Sequence, residues 1–187
     1  MFNRKLRKEN AKLREELEIL QNKVSLLLRD RTNKEMHKVS VPIELSEGAK
    51  IPEYKSKYSA GADLYAVIKD ETKKYMVIYP NQRLRIDTGI KLQLPLNAEA
   101  QIRPRSGMSL IKGLNVILGT IDSDFRSEIG IILHNMTDKK IIINRGDRLA
   151  QIVFNGAYGL FQADFRLVKK IDTTINRGGG FGSTGIR

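Results

Sequence analysis

The chain has 187 residues, a length that suits one domain with a short appendage. It contains no cysteine, which excludes disulfides, cysteine nucleophiles and cysteine-ligated zinc, and its two histidines, His37 and His134, are too few for a histidine-built metal centre. A net charge of +12 and an isoelectric point of about 9.9 favour polyanionic partners such as nucleic acid, a membrane surface or a polyphosphate.

The positive surplus is spread out. Residues 1–38 carry 11 Lys/Arg against 6 Asp/Glu, and residues 39–187 carry 22 against 15, so neither part is a concentrated basic tail and nucleic acid is not a required partner. No apolar run approaches the ~20 residues of a membrane span. The opening MFNRKLRKEN lacks the apolar stretch of a secretory signal, and Glu9, Glu15, Glu16 and Glu18 do not suit a transit peptide. The expectation is a cytoplasmic protein with no membrane partner: the host cell's cytoplasm if the source is viral, with the nucleus left open.

In chain order, residues 3–31 show a seven-residue repeat. Leu6, Leu13, Leu20 and Leu27 occupy one seam position and Asn3, Asn10, Leu17, Val24 and Arg31 the other, with no Gly or Pro between them. This is the a/d pattern of a coiled coil, and an isolated helix of this length is marginal in water without a partner. Self-association or a protein partner is one reading; an amphipathic helix packed on its own domain is the other. RDRTNKEMHK follows as a polar linker, so residues 1–38 are set apart as a helical extension and linker.

Beyond residue 38 the runs VSVPIEL, ADLYAVI, YMVIY, LRIDTGIKLQL, EIGIILHN, KIIINR and RLAQIVF are short, rich in Ile, Val, Leu and Tyr, and punctuated by Gly, Pro, Asn and Asp. They predict an all-β sandwich or barrel over residues 39–175. Residues 176–187, ending in RGGGFGSTGIR, are too glycine-rich to pack as a strand. They form either a flexible end or an arm that closes over something.

Five clusters interrupt or follow the strands. Ser59-Ala60-Gly61-Ala62-Asp63 can turn tightly and present Asp63. Arg103-Pro104-Arg105-Ser106-Gly107 combines forked donors, a hydroxyl and an unshielded backbone N–H, which makes a plausible phosphate cradle, although no Walker sequence is present. Gly119-Thr120-Ile121-Asp122-Ser123-Asp124-Phe125 places two carboxylates after an apolar stretch, one of which can serve as general base toward water. Asn144-Arg145-Gly146-Asp147-Arg148 reads as a hairpin-like turn into the strand that contains Gln151, whose amide needs a partner if it points inward. Arg177-Gly178-Gly179-Gly180-Phe181-Gly182-Ser183-Thr184-Gly185 offers one cation, one ring and two hydroxyls that could cover a nucleotide.

These five clusters, in this order and at these intervals, resemble the five motifs of the trimeric dUTPase family over about residues 40–185. The resemblance implies a jelly-roll β-barrel assembled as a homotrimer with shared active sites, hydrolysing dUTP to dUMP and pyrophosphate with Mg2+. That activity keeps uracil out of DNA and supplies dUMP for dTMP synthesis. By resemblance Asp122 is the carboxylate that orients and deprotonates the attacking water. Arg105, Ser106, Gly107 and Gln151 bind phosphates, and Asp63 helps hold the metal's water shell. Gly119, Thr120, Ile121 and Gly130 form the hairpin that reads uracil, Phe125 packs against the sugar, and Arg177, Phe181, Gly182 and Ser183 close the arm over a neighbouring site.

Three departures stand out: Phe125 replaces the family's usual Tyr, Ser127 its usual Gly, and the interval from Arg177 to Phe181 is one residue shorter than usual. Two other readings remain open from the sequence. One is a dCTP deaminase of the same fold, separable by ammonia rather than pyrophosphate release. The other is a non-catalytic barrel that recruits a partner through its helix or basic surface.

Overall fold

The computed structural model describes residues 9, 12–14, 16–24, 37–157, 159–176 and 178. The chain forms two units, Met1–Met36 and His37–Arg187. In the first, residues 12–14 and 16–24 are helical, as the heptads predict, and Leu13, Leu17, Leu20 and Val24 are all at least half exposed. Arg177, Phe181, Gly182 and Ser183, and most of the predicted linker, lie outside the described residues. Among the described residues no helix is long and apolar enough to cross a membrane.

The second unit is a β structure, in line with the predicted fold class. Its strands are β1 (Lys38–Leu45), β2 (Gly61–Tyr65), β3 (Tyr75–Ile78), β4 (Arg83–Asp87), β5 (Ile90–Leu92), β6 (Ala98–Pro104), β7 (Leu114–Val116), β8 (Gly119–Ile121), β9 (Gly130–Asn135), β10 (Ile141–Asn144), β11 (Arg148–Gly156) and β12 (Gly159–Leu167). The largest sheet runs β5-β1-β12-β11-β6-β8, with β2 also paired to β11; β4-β9-β7 and β10-β3 form two smaller sheets. Burial alternates along β1 and β10, while β2, β11 and β12 bury consecutive residues, and Val41 and Ile43 of β1 share one core with Ile131 and Leu133 of β9. Phe154 anchors that core: it is fully buried and stacks on Phe161 with centroids 5.6 Å apart, and its edge meets Phe165 at 5.8 Å.

Three details depart from the sequence reading. The run LRIDTGIKLQL is broken into β4 and β5 at Thr88-Gly89, where Gly89 takes a φ of 68° that only glycine adopts without strain. The Asn144–Arg148 turn does not close a hairpin: β10 pairs with β3, whereas β11 pairs with β2, β6 and β12, so the turn hands the chain from one sheet to another. Ser106–Lys112 is a short helix that the turn reading did not anticipate, ended by Gly113 at a φ of 60°.

After β12 the chain is stitched back onto the sheet. Val168 N–H donates to Ile43 O at 2.9 Å, Ile171 N–H to Glu44 Oε2 at 3.0 Å and Asp172 N–H to Gln93 Oε1 at 3.2 Å. The Lys91 ammonium, and then this Ile171 amide, hold the Glu44 carboxyl below the usual glutamate range. A depressed carboxyl of this kind stabilises the fold above its unfolded pKa, and the contribution is lost as pH falls through the lowered value.

Phe154→Ala is expected to destabilise the barrel by about 3–5 kcal/mol, read as a fall in the urea unfolding midpoint.

Candidate active site

β11 is flanked by β2 on one side and β6 on the other, and the register sets Gln151 opposite both Asp63 and Arg103. Three of the five sequence clusters therefore converge on adjacent strands. Gln151 Nε2 donates to Pro104 O at 3.0 Å, which gives the buried-run amide its partner. The approach of β2 is close: a Cβ on Gly61 would stand 2.7 Å from Gln151 Oε1, so the first cluster needs glycine at this position to admit the glutamine.

Asp63 is buried, and each of its oxygens holds a guanidinium. Oδ1 pairs with Arg105 Nε at 2.8 Å and Oδ2 with Arg148 Nη1 at 3.0 Å. Arg105 Nη1 also donates to Arg148 O at 2.9 Å. Two forked cations are thus fixed side by side by one carboxylate, with donors left over for an anion. Arg105 is also the residue at the start of the short helix. Its extended backbone (φ −98°, ψ 132°) carries no side-chain cap, and its carbonyl accepts Met108 N–H and Ser109 N–H. Helix geometry leaves the amides of Ser106 and Gly107 without intrahelical acceptors, and the space over Gly107 is open for at least 4 Å.

The third cluster lies elsewhere. Gly119, Thr120 and Ile121 form β8, and Ile121 pairs with Ala100 of β6. Five residues of extended chain separate Ala100 from Arg105, about 17 Å at ~3.4 Å per residue. The predicted hairpin is not a hydrogen-bonded one: β8 pairs with β6, and β9, which begins at Gly130, pairs with β4 and β7. Gly130 lies against Arg85, whose guanidinium a Cβ there would overlap. Asp122 opens the turn between them, and its carbonyl accepts Phe125 N–H at 3.1 Å. The Phe125 ring is buried, at 5% exposure.

Arg126 braces this turn. Its guanidinium is 5% exposed and donates to Ser123 O at 2.6 Å, Phe125 O at 3.1 Å and Asp172 O at 2.9 Å. It clamps the loop of Asp122 to the segment from which residues 173 onward depart. Sequence reasoning missed both Arg126 and Arg148. Strand alternation would place Arg148 on the face opposite Gln151, but a bulge between Arg148 and Ala150 shifts the register and brings the guanidinium round to Asp63. No sequence signal marked that bulge.

Among the described residues no group of three or more His, Asp or Glu side chains could cage a metal ion. Magnesium keeps several waters and takes ligands from substrate phosphates. The residues present fit that mode, with Asp63 the acidic group beside Arg105 and Arg148 and lone pairs remaining on its oxygens beyond the two arginine bonds.

The described geometry can be set beside known proteins. The dUTPase family model matches residues 47–185. A deoxyuridine 5'-triphosphate nucleotidohydrolase of Hydrogenobaculum sp. (strain Y04AAS1) is 42% identical over 146 residues, which cover 77% of this chain and 96% of that protein. The protein of the same name from Treponema denticola is 43% identical over 145 residues, covering 76% and 96%. Among solved structures, the dUTPase from phage phi11 of S. aureus superposes with a TM-score of 0.57 at 22% identity, covering 72% of this chain and 99% of that one. That last likeness speaks for the fold.

Gly61→Ala is expected to push Gln151 out of register and to cost about 1–3 kcal/mol, measured by urea unfolding. The matching change at Gly107, where the space is open, is expected to stay within ~0.5 kcal/mol.

Proposed function

Because the chain belongs to the dUTPase family, we propose that it is a dUTP diphosphatase that releases dUMP and pyrophosphate from dUTP. The observation that carries the reading is the corner where Asp63, Arg105, Arg148 and Gln151 meet beside the open amides of Ser106 and Gly107. It is a fixed, cationic, donor-rich surface whose chemistry suits a polyphosphate.

The residues act in two groups. Arg105, Ser106, Gly107 and Gln151 hold the phosphates, and Asp63 keeps the guanidiniums aimed. Asp63 would help hold Mg2+ through its water shell, and the metal would supply further charge neutralisation. Asp122 orients a water and accepts its proton. Water is a poor nucleophile toward a polyanion, so a positioned carboxylate raises both its local concentration and its nucleophilicity. Backbone groups of Gly119, Thr120 and Ile121, with Gly130 at the start of β9, read the uracil edge. Phe125, held rigid by burial, forms a wall for the sugar. Arg177, Phe181, Gly182 and Ser183 close over the bound nucleotide.

The ~17 Å between Ile121's partner on β6 and Arg105 argues that one chain does not supply both groups to one nucleotide. A homotrimer of jelly-roll barrels, each site built from more than one copy, brings Asp122 of one chain to the phosphate corner of the next. Self-association through residues 1–38 adds to that assembly without entering the chemistry.

Asp122→Asn is expected to lower kcat by about 10²–10⁴-fold with KM for dUTP within a few-fold. Pyrophosphate release at the wild-type rate would refute its assignment as base. Arg126→Lys keeps the charge but not the fork, and is expected to cut kcat at least ~10-fold with nucleotide affinity held. Equal losses in kcat and affinity would show that the clamp serves the fold at large. Removal of residues 177–187 is expected to cripple turnover with the thermal unfolding midpoint unchanged; a fully active truncate would remove the arm from the mechanism.

A further inference from the structure

The N-terminal helix lies outside the family match, which begins at residue 47, and the relatives from Hydrogenobaculum and Treponema are covered almost end to end by about three quarters of this chain. The nucleotide chemistry leaves this helix unused. Yet its described residues present Leu13, Leu17, Leu20 and Val24, each at least half exposed, along a single a/d seam. Four large apolar side chains on one face of a marginal helix call for a cover.

Residue identity along the seam indicates the occupant. Every d position is Leu (6, 13, 20, 27), while the a positions run Asn, Asn, Leu, Val, Arg (3, 10, 17, 24, 31). Leu at d with β-branched or Asn residues at a favours two parallel strands, and a polar a residue fixes the register. Three-stranded coils favour Ile at both positions, or Leu at a with Ile at d. The flanking charges agree with a parallel, in-register pair. Glu9 at g of one helix then faces Arg14 at e of the other and Glu16 faces Gln21, with no like charges opposed in these pairs.

We propose that this face binds the same face of a second copy of the chain as a parallel two-stranded coiled coil. If the barrels are trimers, as the functional reading above holds, three helices cannot pair off within one trimer. They pair across trimers, and the smallest closed assembly has six chains.

The protein contains no cysteine, so a single introduced thiol reports the pairing. In full-length Leu13→Cys the two d-position thiols of a parallel pair face each other closely enough to oxidise. Essentially complete conversion to a covalent dimer on a non-reducing gel is expected. A plateau near two thirds, the yield when three chains share one seam, would overturn the two-stranded arrangement, and absence of cross-linking would overturn parallel pairing altogether.

Light scattering on the wild-type chain is expected to give six times the 21.2 kDa chain mass, and on Leu13→Lys/Leu20→Lys half of that. A wild-type trimer that the double substitution leaves unchanged would sink the proposal while sparing the trimer reading. A wild-type dimer that the substitution turns into a monomer would sink the trimer reading while sparing the coiled coil.

Discussion

One buried carboxylate organises the corner where β2, β11 and β6 meet. Asp63 stands between Arg105 and Arg148, and without it two guanidiniums would repel each other at close range. Paired through one acid, they become a rigid fork. The cost of burying the charge is offset by two direct ion pairs and by strands that leave the side chain nowhere else to go. Gly61, two residues earlier, lets β2 come close enough for Gln151 to fit beside it. The charge, the amide and the helix start are therefore one construction, fixed by the ladder β2-β11-β6.

The same ladder separates the two halves of the chemistry. β6 carries the Arg103–Gly107 cluster at its C-terminal end and pairs with β8 nearer its N-terminal end. A strand is stiff, so the gap cannot close by bending. In the proposed trimer a second copy of the barrel closes it, and the proposed coiled coil adds a second level of association with its own symmetry.

Much of this was legible in the sequence because glycines and charged residues at turns carry specific requirements. The strands β1, β3, β9 and β11 follow directly from runs of β-branched residues. β6 did not, because Ala98-Glu99-Ala100-Gln101 has no strand propensity of its own; neighbours on both sides impose the conformation. β12 was missed for a similar reason, its apolar residues being diluted by Gln162, Asp164 and Arg166. Asp63 and Gln151, which the sheet register sets opposite each other, were singled out through their clusters. Arg148 was hidden by a bulge, and Arg126 by a partner 46 residues away, distances in the chain at which local pattern carries no information.

That last span has a temporal side. The clamp on the Asp122 loop needs Asp172 O, which leaves the ribosome well after the loop itself. A nascent chain that has completed β9 or even β11 holds the acid in place by Ser123 and Phe125 carbonyls alone. Vectorial synthesis thus leaves the Asp122 loop without its full clamp until translation is nearly over.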